Sequence, residues 1–115
     1  MTISKIGTLL YYELNEALGD SATIDRNRLD DVCLLHKRIK RYATRQEQAC
    51  TYEWAWGDKW DKQDARLEKS IFDLAVSLPG ITGVTFQGDP RGYVVKLQLV
   101  NGASNTWGKD GWGVA

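Results

Sequence analysis

A chain of 115 residues with 43% hydrophobic and 26% charged side chains has the make-up of one globular domain, not of a disordered or collagen-like polypeptide. Its 15 basic and 15 acidic residues cancel, which excludes a strongly acidic mimic of nucleic acid and a strongly basic coat for it. No apolar run approaches the ~18–20 residues of a membrane span. The opening MTISKIGTLLYYELNEAL is broken by Lys5, Glu13 and Glu16, and it lacks a signal peptide's apolar core and small-residue cleavage site. A cytosolic protein is the expectation.

In chain order, Ile3, Ile6, Leu10, Leu14, Ala17 and Leu18 recur at helical spacing and predict a first helix over about 3–18. Thr2 suits its cap, and Gly19 its left-handed stop. After a polar turn, Thr23 or Asp25 can cap a second helix that begins near Arg26. Leu29, Val32, Cys33, His36, Ile39, Ala43 and Cys50 trace its apolar stripe, and it runs to about Tyr52 or Trp54. Gly57 and Asp58 then offer a break and a new cap, so Trp54 to Trp60 reads as a turn. A third helix over about 60–78 carries Leu67, Ile71, Leu74 and Leu78 on one side and stops at Pro79-Gly80. The short link makes helices two and three an antiparallel helical hairpin.

The remainder changes period. Val84 and Phe86, then Tyr93, Val95, Leu97 and Leu99, alternate with polar partners as strands do. Asp89-Pro90-Arg91-Gly92 fits a type I turn. Asn101-Gly102 is a strong hairpin signal, since both positions tolerate positive φ. A third strand follows over Ala103 to Trp107, and a glycine-rich tail should fold back so that Trp112 covers an edge or end of the sheet. The predicted fold class is therefore α+β: three helices, including a long antiparallel helical hairpin, followed by a three-stranded antiparallel β-meander. One domain spans 1–115, with a helical part over 1–80 and a meander and tail over 81–115.

The runs FQGDPRGYVVKL, NTWG and GWGV resemble the C-terminal end of small accessory proteins of tailed bacteriophages and prophages. In many of those, as here, a helical segment holding Arg66-Leu67-Glu68 comes shortly before the first strand. The resemblance covers residues 84–114. It implies a phage accessory protein that acts in the host bacterial cytoplasm, and it implies no catalytic residues.

Several constellations are candidate sites. Cys33 and His36 are one turn apart, but a structural zinc wants four ligands and there is no second histidine, so both read as core border. If Cys33 and Cys50 share one helix, ~17 residues at ~1.5 Å rise hold them ~25 Å apart, too far for a disulfide. Asp58, Asp61 and Asp64 read as the solvated start of a helix rather than paired acid–base carboxylates. There is no GxSxG elbow or GxxxxGK[ST] loop, so no enzyme, cofactor or metal is expected.

Binding is the remaining class. His36 to Arg45 holds Lys37, Arg38, Lys40, Arg41 and Arg45 without an acid, and Arg38, Arg41 and Arg45 lie along one ridge, a candidate nucleic-acid track. Trp54 and Trp56, two apart on a helix, cannot both face one core, so Trp54, Trp56 and Trp60 are candidate contacts for a protein partner. Asp89 and Arg91, at the turn tip, join them. The expected function is stoichiometric binding to a host protein or complex, most naturally inhibition of a bacterial defence system as an anti-CRISPR protein does. That step is analogy from the phage resemblance. The alternative is a small nucleic-acid-binding regulator, and exposed tryptophans also suit a homodimer seam.

Overall fold

The computed structural model describes the backbone over 5–89, 92–108 and 111–112, and side chains over 7–46, 65–87 and 94–107. Helix α1 (Lys5–Leu18) buries Leu10, Leu14 and Leu18, one turn apart along a single stripe. Gly19 ends it with φ +57°, and its N–H donates to the Asn15 carbonyl at 3.0 Å. Thr2, the expected cap, lies outside the described residues. Asn15 then clamps the following extended segment in both directions. Its Nδ2 donates to the Ile24 carbonyl (3.1 Å), and its Oδ1 accepts from the Ile24 N–H (2.8 Å). Ile24 is thereby held in the core.

The entry to the second helix departs from the expectation. Asp25 makes no side-chain cap, and the chain passes through a 3₁₀ turn, Arg26–Arg28, before α2 (Leu29–Val76) begins. Arg28, at the cap position, pairs with Asp31 (2.6 Å) and donates to Ser77 Oγ (3.2 Å). Asp30 and Asp31 in the first turn complement the helix dipole.

Across the break anticipated at Trp54–Trp60 the backbone stays helical: α2 spans 48 residues. One glycine costs a helix only about 1 kcal/mol, and Gly57 stands among Glu, Lys, Asp, Gln and Ala with no proline. Even so, α2 is not a straight rod. A straight helix of that length would hold its ends about 72 Å apart, whereas Arg28 touches Ser77. Farther along, Arg38 Nη1 donates to the Ser70 carbonyl (3.1 Å) and Tyr42 Oη to Glu68 Oε2 (3.0 Å). The flanks over 29–46 and 65–76 therefore lie side by side in opposite directions.

The strands are β1 (Ile81–Asp89), β2 (Gly92–Leu99), β3 (Ser104–Gly108) and β4 (Gly111–Trp112). They form an antiparallel sheet in that order, with one irregularity between Ile81 and Gly83. The fourth strand is a correction to the expected meander: the tail folds back, and Gly108 and Trp107 pair with Gly111 and Trp112. This pairs the last two residues of the edge that β3 would otherwise leave open. Asp89 pairs with Gly92 across the first turn. Pro90 and Arg91 lie outside the described residues, and with them the expected turn type.

The register lines Phe86, Val95 and Trp107 across three strands, with Val84 and Leu97 beside them. Val95, Leu97, Leu99 and Trp107 are buried, against Leu10, Leu14, Ile39, Ile71 and Ala75 of the helices. Val84, Phe86, Leu67 and Leu74 complete the border of this core. Lys96 and Gln98 stand on the other face of β2, where Gln98 Nε2 donates to Thr85 Oγ1 at 3.0 Å. The α+β class is the architecture found.

Three turns meet at one joint. The expected Asn-Gly turn has Asn101 outside the positive-φ region; only Gly102 is left-handed, at φ +89°. Gly102 N–H donates to the Leu99 carbonyl (3.0 Å) and Leu99 N–H to that of Ala103 (2.9 Å), a three-residue loop over 100–102. Asn101 is spent elsewhere. Its Nδ2 donates to the Ala17 carbonyl (2.9 Å) at the end of α1, while Oδ1 accepts from Ala103 N–H (3.0 Å). Val100 N–H donates to the Gly80 carbonyl at 2.8 Å. Gly80 has φ +86°, and a Cβ there would fall 2.6 Å from Leu18 Cδ2 and 2.9 Å from Ala22 Cβ.

Asn101→Ala should cost about 1 kcal/mol by freeing the α1 carbonyls. Asn101→Asp should cost more, because it removes the donor and sets a negative charge at a helix C-terminus. Urea midpoints in the order wild type, alanine, aspartate check this; an aspartate variant as stable as wild type would contradict it.

Candidate anion-binding cleft

The basic face of α2 follows from its core face. Val32, Leu35, His36, Ile39, Tyr42 and Ala43 are buried, so at 100° per residue the opposite side carries Lys37, Lys40 and Arg41, all exposed. Arg38 and Arg45 are half-buried on the side toward the other flank.

The expected row of three arginines is thus divided. Arg38 bonds the Ser70 carbonyl and fastens the two flanks together. Arg41 and Arg45, one turn apart, instead meet Arg66 from the opposite flank. With Leu67 they line an open cleft of about 430 Å³. Tyr42 lies behind it, 5% exposed, with its hydroxyl on Glu68.

Arg66 was not among the residues the sequence singled out as a site. Its position follows from the pairing of the flanks. Tyr42 opposite Glu68 and Arg38 opposite Ser70 fix the offset, and the next step brings 66 level with the stretch between Arg41 and Arg45. The only signal in the sequence was the Arg66-Leu67 dipeptide beside a core stripe, and that does not say what faces it.

Chemically, the cleft can hold an anion. Guanidinium groups present forked donors that match a carboxylate or a phosphate two bonds at a time. Among the described residues that line the cleft, none is a nucleophile or a titrating base.

The remaining sequence candidates separate from it. Trp54, Trp56, Trp60, Asp58, Asp61, Asp64 and Cys50 have side chains outside the described residues, as do Asp89 and Arg91. Cys33 is a buried free thiol. Among the described residues no group of three or more His, Cys, Asp or Glu could hold a metal ion, and no helix is long and apolar enough to cross a membrane.

His36 is 3% exposed and sits edge-on to Trp107, with ring centroids 6.0 Å apart. Its Nε2 is buried without a hydrogen-bond partner. Burial, and then the nearby Lys40 charge, hold its pKa below the usual histidine value. The unfolded chain therefore binds the proton more readily. Stability contributed by neutral His36 is full above the unfolded pKa of about 6.5, and it is lost as pH falls from there toward the folded value, at up to about 1.4 kcal/mol per pH unit. His36→Phe should remove that part of the acid sensitivity. Urea titrations at a series of pH values read the wild-type minus variant difference, which should shrink on acidification; a constant difference would refute it.

Comparison of the chain with protein-family models, with curated proteins and with solved structures returned no match.

Proposed function

We propose that this is a phage-encoded accessory protein that acts by stoichiometric binding to a host protein or protein complex in the bacterial cytoplasm, inhibiting a host defence system as anti-CRISPR proteins do. The helices act as a hairpin that backs the sheet, leaving its outer faces and turns for contact. The observation that carries the reading is the cleft lined by Arg41, Arg45 and Arg66, which can grip an anionic surface and among whose described residues none could transform it. The likeness of residues 84–114 to phage accessory proteins supplies the biological setting. Trp54, Trp56 and Trp60, with Asp89 and Arg91, are proposed as further contacts.

A tagged protein incubated in bacterial lysate should retain one host protein in stoichiometric amount, identified by mass spectrometry. Trp56→Ala and Trp60→Ala should each weaken that complex by about 2 kcal/mol or more with the urea midpoint unchanged. Full affinity in both variants would remove the tryptophans from the interface.

The exposed Lys37, Lys40 and Arg41, on a stretch without an acid, favour a second reading as a small nucleic-acid-binding regulator. It requires copurifying nucleic acid that dissociates steeply with salt. Lys37→Glu with Lys40→Glu should then lower affinity for any sequence about equally. Binding that ignores salt would exclude this reading.

A further inference from the structure

We propose that the cleft between the two flanks of α2 is the docking site for an acidic segment of a protein partner, with Arg41 and Arg66 as its principal carboxylate-binding residues. The inference rests on the stoichiometric-binding reading and names the surface and the chemistry it recognises.

Three observations lead to it. The first is convergence. Arg41 and Arg45 come from one flank of α2 and Arg66 from the other, and they meet around a single opening. An extended phosphate backbone is tracked by cations set in a row. The row here is interrupted, because Arg38, which would continue it toward the helix start, is bonded to the Ser70 carbonyl. Around the opening, Arg41 and Arg66 are exposed on facing flanks, a compact pair suited to clustered negative charge.

The second is the apolar component. Leu67, half-buried and part of the core border, lines the same cleft. Single-stranded nucleic acid is held by aromatic platforms that stack its bases, but among the described residues the aromatic beside this cleft, Tyr42, is buried with its hydroxyl on Glu68. An aliphatic floor between guanidinium groups suits the methylenes of Glu and Asp, or an apolar neighbour between two acids.

The third is shape. At about 430 Å³ the volume lies within the range of small-molecule sites, but the cleft is open to solvent on one side. Small ligands are held where ~70–90% of their surface is enclosed. An open cleft instead receives a projection from a larger body, anchored by contacts on either side. Arg41 and Arg66 are exposed, so they are hydrated until such a segment arrives, and docking supplies the forked carboxylate bonds that replace that water.

The test uses the full chain and a fluorescent decaglutamate peptide, followed by anisotropy at low ionic strength. A single-stranded oligothymidine of equal charge and inorganic phosphate serve as competitors. Wild-type protein should bind the peptide more tightly than the oligonucleotide, and phosphate should compete weakly. Arg41→Glu combined with Arg66→Glu should lower peptide affinity by about tenfold or more. Arg26→Glu combined with Lys37→Glu makes the same change in net charge outside the cleft and should cost less than about threefold by general electrostatics. Both pairs alter exposed positions, and equal urea midpoints establish that the fold is kept.

No peptide binding by wild type, preference for the oligonucleotide, or equal losses in the two charge-matched variants would each overturn the proposal. Full retention of the lysate partner by the Arg41/Arg66 variant would remove the cleft and leave stoichiometric binding standing. Absence of any lysate partner together with cleft-dependent peptide binding would leave the cleft and remove that wider reading.

Discussion

The sheet has one apolar face, and the need to keep that face dry organises the molecule. Phe86, Val95 and Trp107 cross three strands in line, with Leu97 and Leu99 alongside. At about 25 cal/mol per Å², burying side chains of this size is among the largest favourable contributions available to a domain of this length. A four-stranded sheet cannot bury that face by itself, so α1 and both flanks of α2 lie across it. Trp107 shows how strict the demand is. It is fully buried in a five-residue strand, its indole N–H is satisfied locally by Asn105, and its ring edge meets His36. Burial, and then the Lys40 charge, hold the histidine's pKa below its usual value, and one of its ring nitrogens is left without a hydrogen-bond partner.

The layers are positioned by polar contacts at their margins. At one end Asn101 caps α1 from the β2–β3 loop, and Gly80 lets the α2–β1 turn press on Leu18. These contacts join residues 84 positions apart at Asn101 and, at Gly80, bring the α2–β1 turn onto the end of α1, so the order of helices followed by strands closes into a single body. Between the flanks, Arg28, Arg38 and Tyr42 each reach across to the returning segment. Two of these are charged side chains that bond backbone or hydroxyl oxygens, and each such use withdraws a cation from the surface.

That withdrawal shapes the candidate site. Five bases on the first flank would make an extended positive strip if all were free. With Arg38 engaged, the described positive surface divides into exposed lysines and an arginine cleft completed by Arg66. A strip and a focus select different anions, because one follows a polymer and the other grips a cluster.

The sequence determined a good deal alone. Period-two alternation over Val95, Leu97 and Leu99 fixed which side of β2 would be buried, since a strand has only two faces. Helical spacing did the same for Leu10, Leu14 and Leu18 and for Ile39 and Ile71, and Gly19 and Gly102 marked chain reversals because only glycine enters the left-handed region cheaply. Other features were decided in three dimensions. Nothing local separates Arg38 from Arg41, yet one is a bolt and the other lines a cleft, because the difference is set by what the returning flank presents. Asn101 lies in the turn its sequence signalled, but its side chain also caps a helix far away in the chain, which no local signal shows. Gly57 lies within one helical element, Leu29–Val76, yet the segments before and after it run side by side in opposite directions, which only the contacts of Arg38 and Tyr42 across the fold reveal. Local sequence encodes periodicity and permitted backbone angles; partners across the fold exist only once the chain has closed on itself.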